Sequence, residues 1–493
     1  MIASQRESAT TDVMEKILTR FEQISSVPRG TKREQKISQW LQDWAKERGF
    51  FSRTDVTGNL VIYIPASLGM ENAPTVILQG HMDMVCEKTP DSTHDFTRDP
   101  VRILRDGDWL KADQTTLGAD NGIAIALALA LVEDETASHP PLELLFTVEE
   151  EIGIGGASSL DPSLLSGKTM INLDSEEEGS FIVGCAGGKT TFIHLPCANE
   201  TLPPDHDIFH LSISGLQGGH SGADIHMHRA NANKILARTL DRISQKVPVR
   251  LVTLKGGTAR NAIARDAEVT VACPKGNESI LREQVSVFGR EAHGEYAKSD
   301  AGLSISFETS QKESDAKALS LADSAKIIQF LIALPHGVMY MSASVEGFVE
   351  TSTNLAILEM KIDGLHITTL QRSNVMSRLD EIDSHIEAVA RLAGAEINFT
   401  DGYPAWQPDM DSPLLARSVK VYESLFKQKP VVEMIHAGLE CGIIGDRCGG
   451  LDMISLGPTI KGAHSPDEKL FIPSVERVWK LLNALLSSFL IGS

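Results

Sequence analysis

One histidine and a set of carboxylates stand where apolar runs of the chain come to an end. His81 and Asp83 follow Thr75-Val76-Ile77-Leu78-Gln79, Glu149-Glu150-Glu151 follow Leu142-Glu143-Leu144-Leu145-Phe146, and Asp174 follows Met170-Ile171-Asn172-Leu173. Asp120 sits in Leu117-Gly118-Ala119-Asp120-Asn121-Gly122, ahead of a long apolar stretch. A lone His-x-Asp says little, because such a histidine is ordinarily a core or surface residue. Repetition at successive strand ends says more, since in an α/β protein those ends converge on one crevice. One imidazole with several carboxylates is a donor set for zinc, or for cobalt or manganese in its place. Converging carboxylates without a cation repel one another, so a bound metal is the simplest compensation. Two ions about 3.5–4 Å apart, bridged by one carboxylate, would employ this many acids. His464, in the glycine-containing loop after Met453-Ile454-Ser455-Leu456, can complete the second ion's shell.

The elements that must position these residues follow from pattern. The 493 residues exceed one comfortable core, which predicts two domains or one domain with a large insertion. Apolar content of 42% and charged content of 23% are those of a globular protein, and the net charge of -20 argues against nucleic acid or an anionic membrane as partner. Six scattered cysteines without a CxxC pair, no signal-peptide core after Met1 and no run of membrane-spanning length point to the reducing cytoplasm. Helices are expected over 11–25 and 32–49, broken at Val27-Pro28-Arg29-Gly30, and strands over 59–64, 75–79, 142–148 and 170–173. The run 123–132 is apolar all round and predicts a buried helix, while 94–107 reads as polar, irregular loop. From Gly187 the strands alternate, as in His210-Leu211-Ser212-Ile213-Ser214, and amphipathic helices are expected over 231–245 and 316–333. The α/β pattern returns near Val431 and closes with a helix to Leu486 that Ser474 is expected to cap. The expectation is a catalytic α/β domain, a mixed sheet flanked by helices, made of 1–186 and 403–493, with an α+β lid inserted over 187–402. Gly153-Ile154-Gly155-Gly156-Ala157-Ser158 lacks the last glycine of a dinucleotide loop, and Gly188-Lys189-Thr190 lacks the first glycine of a phosphate loop. Cys86, Cys185 and Cys441 lie near motifs, where small apolar packing is their expected role.

Five segments together carry a resemblance: Gln79-Gly80-His81-Met82-Asp83, Leu117-Gly118-Ala119-Asp120-Asn121-Gly122, Glu150-Glu151-x-Gly153, Asn172-Leu173-Asp174-Ser175-Glu176 and Gly462-Ala463-His464-Ser465-Pro466-Asp467-Glu468. They resemble the di-zinc exopeptidases, a family that includes aminoacylases, glutamate carboxypeptidases and carnosinases. Gly218-Gly219-His220-Ser221-Gly222, Gly256-Gly257-Thr258-Ala259-Arg260-Asn261, Tyr403-Pro404-Ala405-Trp406 and His436-Ala437-Gly438-Leu439-Glu440-Cys441 are similar to its bacterial aminoacyl-histidine dipeptidase subgroup, and the likeness runs over essentially the whole chain.

The resemblance implies two zinc ions per chain, with His81 and Asp174 on one, Glu151 and His464 on the other, and Asp120 bridging them. It implies Asp83 behind the His81 imidazole, Glu150 as general base, Glu149 as a bystander, and a cis peptide at Asp120–Asn121. His220 would donate to the oxyanion; Asn261, Arg372 and a backbone contact at Gly438 would hold the substrate. The implied activity is hydrolysis of dipeptides, Xaa-His included, by a cytoplasmic monomer or homodimer. A sibling hydrolase (aminoacylase, carboxypeptidase or tripeptidase) would share every zinc ligand and differ in the lid. A non-catalytic peptide- or metal-binding relative would be expected to lack Glu150 or a ligand, and none is missing.

Overall fold

The structure, a computed structural model, describes residues 2–310, 316–343 and 345–490. Met1, read above for targeting, and 311–315, 344 and 491–493 of the expected domains lie outside the described residues. Two compact units emerge. The first comprises the chain up to Cys185, Trp406–Met434 and the chain from Leu439 onward; the second comprises Ala186–Ala405 with Ile435–Gly438.

The first unit is built on an eight-stranded sheet in the order Phe51–Thr54, Leu60–Ile64, Leu142–Thr147, Val76–His81, Thr169–Asn172, Asp452–Ser455, Ser180–Cys185, Val431–Ile435. Leu142–Thr147, Val76–His81, Thr169–Asn172 and Asp452–Ser455 are mutually parallel, and antiparallel strands flank them. Parallel neighbours deliver their carboxyl ends to one edge, so His81, the acids after Thr147, Asp174 and the loop after Ser455 emerge on the same side. The crossover between the first two in sequence is the helix Ala119–Glu133, whose residues from Ile123 to Leu131 are all buried. It lies so close to the sheet that a Cβ on Gly80 would stand 2.4 Å from Asn121 Oδ1 and 2.9 Å from Ala124 Cβ. A second, four-stranded sheet (Ile460–Lys461, Lys469–Phe471, Trp109–Ala112, Ile103–Asp106) joins the hairpin that carries His464 to the segment that leads to Asp120.

The second unit is a nine-stranded sheet, antiparallel throughout its paired strands, over which the helices Ala232–Ser244, Glu278–Glu295, Leu321–Ala333 and Met376–Ala393 close a separate apolar core. Alternation sets the faces: Ile193 and Leu195 enter that core while His194 between them points the other way.

Several local expectations need correction. Lys317–Leu319 is a strand paired with Asn199–Thr201, and the helix expected from 316 begins after Ser320, whose hydroxyl accepts the Asp323 N–H. Ser474 is no cap. With Pro473 tolerated in the first turn, the helix starts at Ile472, and Ser474 Oγ instead accepts the Thr459 N–H and donates to Phe471 O. The polar stretch 94–107 contains the strand Ile103–Asp106. Cys185 and Cys441 are buried, but Cys86 is exposed. Residues 435–438 belong with the second unit because Ala186 N–H donates to Ile435 O and Ala437 O, and the His436 side chain lies between Ser352 and Asn374.

Gly80→Ala is expected to lower stability by about 1–3 kcal/mol, the usual cost of overpacking. Urea denaturation checks this, and an unchanged midpoint would contradict the tight helix–sheet contact.

Candidate metal centre and substrate-binding residues

In the first unit the side chains expected as ligands converge. His81 Nε2 lies 3.0 Å from Asp120 Oδ1 and 3.4 Å from Asp174 Oδ1. His464 Nε2 lies 3.0 Å from Asp120 Oδ2 and 3.0 Å from Glu151 Oε2. Asp120 therefore turns one oxygen to each histidine. The edge of a tetrahedron with metal–ligand bonds of about 2.0–2.1 Å is roughly 3.3 Å, so both sets have the spacing of a zinc shell. Glu151 Oε1 and Asp174 Oδ1 are buried without a hydrogen-bond partner, which a cation would remedy. The residues fit two divalent ions.

The electrostatics agree. Burial pushes the Asp174 carboxyl up to about 6 against the pull of His81. Burial opposes ionisation of Asp120 too, but hydrogen bonds from His464 and His81 outweigh it and hold Asp120 below the ordinary range. Burial pulls His81 down, yet Asp174, Asp120 and Asp83 raise it well above normal, and hydrogen bonds to Asp120 and Glu151 raise His464 to about 11. The acids thus demand positive charge at both histidines.

The backbone that presents these groups is held by buried polar side chains. Asp83 accepts the N–H of Glu150 (3.1 Å) and Glu151 (3.2 Å) and lies 3.3 Å from His81 Nδ1. Asn121 accepts the His81 N–H and donates to Leu173 O. The Asp120–Asn121 peptide is cis. Glu468 accepts the N–H groups of Leu117, Gly118, Ala119 and Asp120 at 2.7, 2.9, 2.7 and 3.2 Å. Arg29, fully buried, donates to the carbonyls of Met82, Asp83 and Gly118. Two non-glycine residues beside the site, Glu149 (φ 53°) and His464 (φ 62°), adopt left-handed backbone, a local cost that the surroundings must sustain. Glu149 makes the turn through its backbone, donating N–H to Glu34, and its carboxylate is in none of the candidate ligand groups among the described residues. Glu150 joins His81 and Glu151 in a further group. Burial raises its carboxyl well above the usual range, with Asp174, Glu440 and Glu151 adding to the rise against His81. Beneath the site, Glu440 accepts hydrogen bonds from Gln79 (2.6 Å) and Thr147 (2.7 Å), and burial pushes it up to about 7.

The second unit gathers the expected substrate residues. His220 Nδ1 accepts the N–H of Gly222 (3.3 Å) and Ala223 (2.9 Å), so the ring proton resides on Nε2. Arg372 Nη2 stands 3.4 Å from that Nε2, and Nη1 donates to Tyr403 Oη at 2.8 Å. Two donors side by side are what an anionic oxygen would satisfy. Asn261 is exposed, and its carbonyl accepts the Ser221 N–H next to His220. Gly438 lies against the Tyr403 ring, where a Cβ would come within 2.8 Å of Cε2. His436 hydrogen-bonds Ser352 at 2.8 Å; burial, with Arg372 and His220 adding, pulls its pKa to about 3 and keeps it neutral. Arg29, Tyr403, His436, Glu440 and Glu468 carry these arrangements although the sequence reading gave them no part. All but Arg29 lie inside the segments that carried the resemblance.

The family model described as peptidase family M20/M25/M40 matches residues 77–488. The cytosol non-specific dipeptidase of Escherichia coli is 41% identical over 466 residues, 94% of this chain and 96% of that one. The crystal structure of aminoacylhistidine dipeptidase from Vibrio alginolyticus superposes with a TM-score of 0.84 at 41% identity, covering 96% of each chain. A tripeptidase from Staphylococcus aureus shares the fold at 15% identity and a TM-score of 0.57, over 97% of this chain and 99% of that one.

Glu468→Ala would leave four N–H groups without their acceptor and is expected to cost about 3 kcal/mol or more, read by urea denaturation. His436 titrates near 6.5 when unfolded and near 3 when folded, so the unfolded chain binds the extra proton between those values. Stability is therefore lost as pH falls through that window, by up to roughly 1.4 kcal/mol per pH unit. The difference in melting between wild type and His436→Asn, followed from pH 7 to 4, should show this slope.

Proposed function

The chain belongs to peptidase family M20/M25/M40, and on that premise we propose that it is a cytoplasmic, metal-dependent dipeptidase whose substrates include Xaa-His dipeptides. The observation that carries the reading is Asp120 offering one oxygen to each of two histidine–carboxylate sets. The names of the two 41%-identical relatives support the substrate class, and no helix among the described residues is long and apolar enough to cross a membrane. We assign His81, Asp174 and Asp120 to one zinc ion and Asp120, Glu151 and His464 to the other, with cobalt or manganese as substitutes.

Two ions held by these residues would supply Lewis acidity at the scissile carbonyl and lower the pKa of a water toward neutrality. Glu150 takes the proton from that water and passes it to the leaving amine. Asp83 holds the His81 imidazole through Nδ1 so that Nε2 is presented to the cage. His220, with its proton on Nε2, donates to the oxygen that gains charge as the carbonyl carbon becomes tetrahedral. Arg372, steadied by Tyr403, pairs with the substrate carboxylate, and Asn261 and the Gly438 backbone complete its binding. The requirement for a free carboxylate one residue beyond the scissile bond is what selects dipeptides.

Hydrolysis of a Xaa-His dipeptide should vanish on chelation and return with zinc. Glu150→Gln should keep its metal content and lose about 10²–10⁴-fold in kcat. Chelation without effect, or Glu150→Gln at the wild-type rate, would contradict the mechanism. Cleavage of N-acyl amino acids with dipeptides left intact would place the chain in a sibling activity.

A further inference from the structure

We propose that the second unit carries its own site for a divalent transition-metal ion, zinc by preference, formed by His194, His366 and Asp363 and backed by Glu396. His366 and His194 are directly paired across adjacent antiparallel strands, and Glu396 is paired to His194 on the next strand. The three side chains form a row on the face opposite the apolar core, because Ile193, Leu195, Leu365 and Ile367 on either side of the histidines enter that core. Asp363 stands on the turn that opens the His366 strand. The next residue, Gly364, presses its backbone onto the His194 strand: a Cβ there would meet Leu195 O at 2.3 Å. That contact fixes where the Asp363 carboxylate can reach.

The donor atoms have a ligand shell's spacing. His366 Nε2 lies 3.0 Å from Asp363 Oδ1, and His194 Nε2 lies 3.7 Å from Asp363 Oδ2. These values bracket the roughly 3.3 Å edge of a tetrahedral zinc shell. The imidazoles are stacked, with centroids 4.6 Å apart and planes 24° from parallel, and His194 Nε2 lies 3.1 Å from the Asp363 backbone carbonyl, a contact that an ion would replace. Glu396 Oε2 stands 3.3 Å from His194 Nδ1. A carboxylate on the far nitrogen of a ligating imidazole fixes its tautomer and raises its basicity. Two imidazoles, one carboxylate and water in the remaining position suit zinc, nickel or copper better than calcium or magnesium. Among the described residues this is the one candidate ligand group outside the first unit. An ion there would tie the edge strand Glu396–Phe399, through Glu396 and His194, to the hairpin at Asp363, making it a structural clamp.

The test is equilibrium dialysis of the full chain against zinc chloride, with metal counted per chain. His194→Gln/His366→Gln, on an exposed face, should keep the wild-type circular dichroism and dipeptide hydrolysis while binding one equivalent fewer. Glu396→Gln should keep that equivalent and bind it about 10-fold more weakly. The same zinc count in wild type and double variant, at every free zinc concentration up to millimolar, would overturn the proposal.

Discussion

A cage assembled from loop residues is only as rigid as the backbone beneath it, and here that backbone depends on a buried carboxylate clasping four consecutive amides. Glu468 accepts from Leu117, Gly118, Ala119 and Asp120, which fills the roughly four acceptor sites a carboxylate has. The chain entering a helix has N–H groups with no helical partner, and a negative charge there is favourable. Arg29 does the complementary work, satisfying carbonyls of Met82, Asp83 and Gly118. Burial lowers the Arg29 pKa, and the charges of Glu468, Asp83 and Asp120 counter it. The helix start that bears Asp120, the strand end that bears His81 and the hairpin that bears His464 are thereby fixed to one another. Left-handed backbone at His464 can persist because Glu468, in the same hairpin, is so firmly held.

His81, Glu151 and Asp174 are legible in sequence because they follow apolar runs whose parallel strands bring their ends together; Asp120 precedes an apolar run, His464 lies in a loop, and the resemblance supplied their places. The helix 123–132 was legible from its apolar periphery, which leaves no solvent face. What escaped was set by tertiary contact. Arg29 reads as part of a helix break, and nothing local says that its guanidinium is the centre of three carbonyls. Glu468 reads as one more acid beside Asp467. Ser474 looks like a cap because serine favours helix starts, but Pro473 moves the start earlier and the hydroxyl serves another loop. The helix is capped by Ser320, which accepts the Asp323 N–H, while the amphipathic pattern of 316–333 runs across that cap without a break. Residues 435–438 change units because of hydrogen bonds to Ala186 that no periodicity encodes.

The second unit shows the same economy with two imidazoles. His220 is held in one tautomer by two backbone N–H groups, and His436 is kept uncharged by burial and by Arg372. An uncharged His436 next to the Arg372 guanidinium leaves a net positive, donor-rich patch, suited to an anionic oxygen and unsuited to a second cation. The chemistry of the two units is therefore complementary in kind: acids that call for metal in one, donors that call for carboxylate or oxyanion in the other.

The central claim is that Asp120 bridges two ions whose remaining ligands are His81 with Asp174 and His464 with Glu151. Anomalous diffraction at the zinc edge from crystals of the zinc-loaded protein tests it most directly. Two anomalous peaks about 3.5–4 Å apart, one beside each Asp120 oxygen, are the expected result. A single peak in the cage, or two peaks that do not share Asp120, would contradict it.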